Sequence, residues 1–146
     1  MRKGKKRMIR GFTGLLIVLL GFAIVFYINF KMVQVSGVSM LPTLKNGQRV
    51  LVTKAYWLVG PIRARDVVVL TDTGPTGYMI KRVYKMAGEK VDWKYVPDGH
   101  KLRDGEYVVP PGTIYVLGDN RNHSDDSRRY GPVAMSAVLG KVWVWQ

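Results

Sequence analysis

The chain has 146 residues, with 23 Lys and Arg against 10 Asp and Glu, and no cysteine. That length accommodates one domain of ordinary size plus a short appendage, and the absence of cysteine excludes structural disulfides, thiol nucleophiles and thiolate metal sites. The formal charge of +13 suggests nucleic acid, but six basic residues fall within the first ten positions and the rest are spread along the chain with no helical recognition motif. Nucleic acid is therefore not an expected partner, and an anionic membrane surface suits the charge as well.

Arg2, Lys3, Lys5, Lys6, Arg7 and Arg10 form a basic start, and Phe12 to Phe30 then contains no Asp, Glu, Lys, Arg or His. An uninterrupted apolar stretch of about 18 or more residues is long enough to cross a bilayer; a hydrophobic core helix is the alternative. A cleaved secretory signal usually stops after about 7 to 15 apolar residues at a small-residue site. This run instead ends in FYINFKM. Lys31 alone stands on the immediate far flank, so the positive-inside rule puts the N-terminus in the cytoplasm and everything from Lys31 onward outside. The expected division is a basic cytoplasmic tail over 1–11, a membrane-spanning helix over 12–30 and an outer domain over 31–146.

Val33 to Val38 reads as a short extended lead-in. The following MLPT should turn the chain, because Pro42 fixes its own φ and disfavours the helical region for Leu41. Beyond it lie runs rich in Val, Ile, Tyr and Trp: Arg49 to Thr53, Asp66 to Leu70, Tyr78 to Met86, Lys90 to Tyr95, Thr113 to Leu117 and Val138 to Trp145. Such runs, bounded by turn-forming Gly, Pro and Asp, read as strands. TDTGPTG (Thr71 to Gly77), PDGH (Pro97 to His100) and PPG (Pro110 to Gly112) supply turns between them. With no second helix of comparable length, the outer domain should be mainly β. The closing VWVW puts Trp143 and Trp145 on one face of a last strand, for packing into the core or for anchoring at an interface.

SGVSMLPT, Ser36 to Thr43, places a candidate nucleophile, Ser39, a few residues after the apolar run. A serine hydroxyl needs a neighbouring base to take its proton. The histidines are His100, in a turn-like segment, and His123, close to acids in GDNRNHSDDSR. Lysine is the other choice once its pKa of about 10.4 is brought down by burial. In YMIKRV, Met79, Lys81 and Val83 share one face of a strand, which gives Lys81 two apolar neighbours; a lysine whose ammonium reaches water at a strand end is the competing reading. The polar stretch Gly118 to Gly131 fails as an EF-hand, since position six from Asp119 is Ser124 rather than Gly. No metal site is expected from it.

Ser39, Lys81 and this polar loop together resemble the type I signal peptidases, membrane-bound serine proteases with a Ser/Lys dyad. SGVSMLPT is similar to the family's nucleophile box, RARDVVVL (Arg63 to Leu70) to its RGDIVV strand, YMIKRVYKMAGE (Tyr78 to Glu89) to the box of the lysine base, and VVPPGTIYVLGDNRNHSDDSRRYGPV (Val108 to Val133) to the last signature region. The resemblance covers most of the chain after the apolar run, in the family's order. It implies a β-rich, signal-peptidase-like catalytic domain behind a single-pass anchor in the cytoplasmic membrane, acting on the signal peptides of secretory preproteins without a cofactor. Ser39 attacks the scissile carbonyl and neutral Lys81 takes its proton, then protonates the leaving amine. Ser124 orients the lysine, Asp126 and Arg128 support the site, and Met40 packs beneath it. Gly37 departs from members that carry an oxyanion-stabilising serine there, which leaves the Ser39 backbone amide as donor. Asn122 and His123 replace the commoner Asp and Asn of GDNRDNS, and Ala87 a common proline. A noncatalytic envelope protein that binds peptides or partners on the same fold is the competing class.

Overall fold

The structure is a computed structural model that describes residues 2–72, 74 and 76–143, with side chains from residue 11 onward. Its first element, α1 (Arg2–Asn29), continues the apolar run backward through the basic segment. The stretch Gly11–Asn29 has a mean hydropathy of 2.5, and none of it is buried against the rest of the protein. The helix stops where Asn29 turns its side-chain amide back onto the Val25 carbonyl (2.8 Å), while its own carbonyl accepts the Lys54 amide at 3.0 Å. Phe30, the last residue of the apolar run, opens β1 and stacks on Phe26 with ring centroids 4.6 Å apart.

Among the described residues seven strands follow: β1 (Phe30–Gln34), β2 (Arg49–Thr53), β3 (Val67–Thr71), β4 (Tyr78–Met86), β5 (Thr113–Leu117), β6 (Val133–Ala134) and β7 (Val138–Trp143). They form one antiparallel sheet in the order β1-β2-β7-β3-β4-β5-β6. The expected mainly β architecture is therefore what the chain adopts. The VVVL run of β3 is buried throughout because the sheet is covered on both faces. Val67 and Val69 enter one cluster with Met40, Val52 and Ile80, whereas Val68 and Leu70 enter another with Val83, Ile114 and Val116. A third cluster gathers Val91, Val109, Tyr115 and Leu117.

Three readings of the sequence need correction. Lys90 to Tyr95 is not a strand. Lys90 makes an isolated bridge with Val108, and the chain then winds into a 3-10 turn over Trp93–Tyr95, closed by the Tyr95 amide on the Asp92 carbonyl. Val91 supplies the apolar anchor that made the run look like a strand. The lead-in strand spans Phe30–Gln34, earlier than Val33 to Val38, because its register is set by β2, with Phe30 opposite Thr53 and Gln34 opposite Arg49. Trp143 lies on the solvent side of β7, 40% exposed, rather than in the core; Trp145 lies outside the described residues.

Among the described residues one backbone position other than glycine is strained. Arg65, at the tight turn into β3, has φ +75°, a region that side chains with a Cβ rarely occupy. The turn is locked there by the Arg65 amide on the Val83 carbonyl at 2.8 Å and by an Arg82 N–H on the Arg65 carbonyl at 2.7 Å. Replacing Arg65 by Gly should therefore raise stability by about 0.5–1 kcal/mol, the left-handed penalty less the backbone entropy of glycine. An unfolding midpoint that stays put or falls in Arg65→Gly would contradict this.

Candidate active site

The turn after β1 carries the candidate nucleophile. Met40, only 1% exposed, plugs the first core cluster and fixes the 38–44 turn, which is closed by Leu41 N–H on Val38 O (3.1 Å) and Leu44 N–H on Met40 O (2.9 Å). Ser39, one residue earlier, is half-buried at the rim of a cleft of about 180 Å³. Lys81 lines the same cleft, together with Ser36, Asp72, Tyr78 and Met79. The candidate nucleophile and the candidate base thus share one opening. Among the described residues no hydrogen bond joins the Ser39 hydroxyl to the Lys81 ammonium, and catalytic hydrogen bonds often tighten only with substrate present.

Lys81 sits mid-strand on β4, opposite Val68 of β3 and on the same face as Met79 and Val83. It is 5% exposed, with its side chain held at the cleft rather than extended into solvent as a strand-end lysine's is. Burial pushes its pKa down from the ordinary lysine value; the carboxylates of Asp126, Asp125 and Asp72 pull it back up in part, and the Arg128 guanidinium adds to the depression. Its Nζ donates to Ser124 Oγ at 3.2 Å.

Ser124 is placed by the loop between β5 and the short helical turn Ser127–Tyr130. Asp126 caps that turn, accepting the Arg128 amide, and is completely buried. Its carboxylate also accepts the Gly118 amide at 3.0 Å and Arg128 Nε at 2.8 Å. Burial works to raise the Asp126 carboxyl, but hydrogen bonds from Arg128, the Gly118 amide and Ser124 outweigh it and hold it below the usual carboxylate range. A full charge is therefore kept beside Ser124 and Lys81.

The loop is tied directly to the Ser39 turn. Asn120 N–H donates to the Ser39 carbonyl at 2.9 Å, and Asn120 Nδ2 to the Val38 carbonyl at 3.2 Å. Gly118 is buried where the two segments touch; a Cβ there would lie 2.6 Å from the Ser39 carbonyl oxygen and would run into the Ser124 side chain. Only glycine permits that approach. Gly37 has φ +88° and donates its amide to Asn46 Oδ1 at 2.9 Å, so the turn itself disfavours a serine at this position. The Ser39 amide donates to no acceptor among the described residues.

His123 is exposed and faces Asn120 Oδ1 at 3.3 Å. His100 is half-buried, stacked on Trp93 and bonded through Nε2 to the Gly105 carbonyl, a packing role. Neither lines the cleft. Sequence reasoning missed Arg82 and Asp119. Arg82, on the opposite face of β4 from Lys81, makes a two-pronged ion pair with Asp119 (both contacts 2.7 Å) that pins the start of the loop to the strand. An arginine directly after the candidate base, on the other face of the same strand, was the available signal. Asp72, in the turn between β3 and β4, was the other omission.

The sequence profile described as signal peptidase, peptidase S26, matches residues 7–103 and 94–145. The chain is 36% identical over 141 aligned positions to signal peptidase I of Bacillus caldolyticus, with 77% of each chain covered. It is 31% identical over 140 positions to signal peptidase IB of Staphylococcus aureus strain COL, covering 74% of this chain and 73% of that one. A solved signal peptidase I from Enterococcus faecalis V583 superposes with a TM-score of 0.43 at 22% identity, over 59% of this chain and 97% of the other. With a profile match running through both the Ser39 turn and the loop of Ser124, this chain belongs to the signal peptidase family, peptidase S26.

Proposed function

We propose that the protein is a membrane-anchored serine endopeptidase that removes signal peptides from secretory preproteins, with Ser39 as nucleophile and Lys81 as general base. The observation that carries this reading is the burial of Lys81 on the cleft that Ser39 lines. A lysine is an effective base only when its pKa approaches the working pH, and burial of this ammonium acts in that direction. The related peptidases supply the reaction: both named relatives are signal peptidases.

In the first step Ser39 Oγ adds to the scissile carbonyl while its proton passes to neutral Lys81 Nζ. The tetrahedral oxyanion is met by the Ser39 N–H, and a preorganised donor of this kind lowers the barrier by about 3 to 4 kcal/mol. Lys81 then protonates the leaving amine, the new N-terminus of the mature protein, and an ester remains on Ser39. Water, deprotonated by Lys81, hydrolyses that ester. Ser124 holds the Lys81 nitrogen through the 3.2 Å bond, while Asp126 and Arg128 hold Ser124. Met40 supports Ser39 from the core.

The helix α1 serves as the anchor, with residues 1–11 in the cytoplasm and 12–29 through the cytoplasmic membrane, one residue shorter than the expected 12–30 because Phe30 already pairs with Thr53 in the sheet, and the catalytic domain follows outside. Its apolar length and the uncovered surface of Gly11–Asn29 support the span. The basic start supports the orientation.

Purified full-length protein in detergent should cleave a preprotein, and Ser39→Ala and Lys81→Met should each abolish cleavage. Lys81→Met should also keep the fold and unfold at a slightly higher temperature, since an apolar chain replaces a buried ammonium. Residual turnover in Lys81→Met near the wild-type rate would refute the base assignment.

The rate should rise with pH as Lys81 loses its proton, along a single acid limb. Asp72 favours the ammonium from across the cleft, so Asp72→Asn should move that limb to lower pH. A limb that stays in place or moves to higher pH counts against Lys81 as the titrating group.

A further inference from the structure

Arg121 has no part in the chemistry above, yet its side chain is held in an uncommon way. Its guanidinium carbon lies 5.8 Å from the centroid of the Tyr84 ring and 5.2 Å from that of Tyr95. The two rings meet edge to face at 5.3 Å. Nη1 is buried with no hydrogen-bond partner among the described residues. A guanidinium that forgoes a hydrogen bond in favour of two ring contacts is bound through its charge and its plane, an interaction that strengthens as water is excluded.

Three elements meet at this point. Tyr84 stands on β4, three residues after Lys81. Tyr95 belongs to the 3-10 turn, and the Tyr84 hydroxyl bonds to Asp92 at the start of that turn. Arg121 comes from the loop that carries Ser124. Its carbonyl accepts Arg128 Nη2 at 2.7 Å, and Arg128 also holds Asp126.

The loop needs a hold at this position. Asp119 and Asn120 are tied to Arg82 and to the Ser39 turn, and Asp126 is tied to Gly118 and Arg128. Between these ties Asn122 and His123 are exposed, so Arg121 is the inward side chain of the stretch that leads to Ser124. The Lys81–Ser124 bond that depends on this stretch is 3.2 Å, at the long end for an N–H···O bond. Its persistence therefore rests on where the loop is placed.

We propose that Arg121, seated against the rings of both Tyr84 and Tyr95, is a positioning residue for peptide-bond cleavage: it fixes the 118–131 loop against β4 so that Ser124 stays on Lys81. The proposal rests on the Ser39 and Lys81 reading. It assigns to Tyr84 a role of its ring, not of its hydroxyl.

The test is a double-mutant cycle on the full-length protein in detergent, with preprotein cleavage resolved into kcat and KM and thermal unfolding followed in parallel. Tyr84→Leu and Arg121→Met should each lower kcat about tenfold, with KM within about twofold of wild type. The double variant should fall little further than the worse single one, because both remove the same contact. Tyr84→Phe keeps the ring and should hold kcat within about threefold, whereas Arg121→Lys keeps the cation without the plane and should fall between wild type and Arg121→Met. Additive losses overturn the clamp, as does a Tyr84→Phe loss equal to that of Tyr84→Leu, or kcat losses that simply track the fall in unfolding temperature. Lys81→Met assayed alongside separates the two failures. An active Lys81→Met removes the Ser/Lys reading and the clamp with it, whereas an inactive one beside additive clamp variants removes the clamp alone.

Discussion

The buried carboxylate of Asp126 is the constraint on which the site depends. A carboxylate with no solvent exposure is costly unless every lone pair finds a donor. Here the donors are the Gly118 amide at the end of β5, the Arg128 side chain and the Ser124 hydroxyl. Satisfying the charge therefore folds the loop back upon its own strand and fixes Ser124. Gly118 completes the arrangement, because only a residue without a Cβ lets the loop lie against the Ser39 carbonyl. Charge, cap and close approach form one unit, and removal of any part leaves a buried ion short of a partner.

Lys81 presents the complementary problem. Its ammonium lies in a sheet face lined by Val68, Met79 and Val83, where the neutral amine is favoured. Were burial the only influence, the side chain would be a poorly held amine. Nearby carboxylates limit the depression, and Ser124 gives the nitrogen a fixed partner. The fold thus accepts a local cost in stability at a position that an apolar residue would fill better, a pattern associated with functional sites.

Much of this was readable in the sequence, and the exceptions have physical causes. β2, β4 and β5 coincide with the apolar runs Arg49 to Thr53, Tyr78 to Met86 and Thr113 to Leu117, since each run follows a glycine turn, at Gly47, Gly77 and Gly112. The alternation in YMIKRV correctly places Lys81 with Met79 and Val83. Lys90 to Tyr95 misled because composition cannot say whether a partner strand exists: Val91 is buried, but one bridge to Val108 is all the pairing that the segment finds. The burial of Lys81 was illegible for a related reason, since it is created by β3 and by the loop from the other end of the chain. Asp72 and Arg121 escaped notice because a polar residue in a turn looks solvated until the surrounding elements are in place.

The join between α1 and the sheet bears on how the proposed enzyme reads its substrate. A flexible linker of nine residues would let the cleft wander over roughly 15–18 Å. This chain has no such slack between Asn29 and Ser39. Asn29 is bonded to Lys54, Phe30 to Gln34 are paired along β2, Val35 is bonded to both Gln48 and Gly47, and Gly37 to Asn46. In the proposed membrane arrangement the cleft is then carried at a fixed distance from the end of the span. A preprotein whose apolar segment lies in the same bilayer presents its cleavage site at a height set by its own length. Two rigid offsets from one plane bring nucleophile and carbonyl together without a conformational search, and that restriction converts membrane geometry into selection of the bond to be cut.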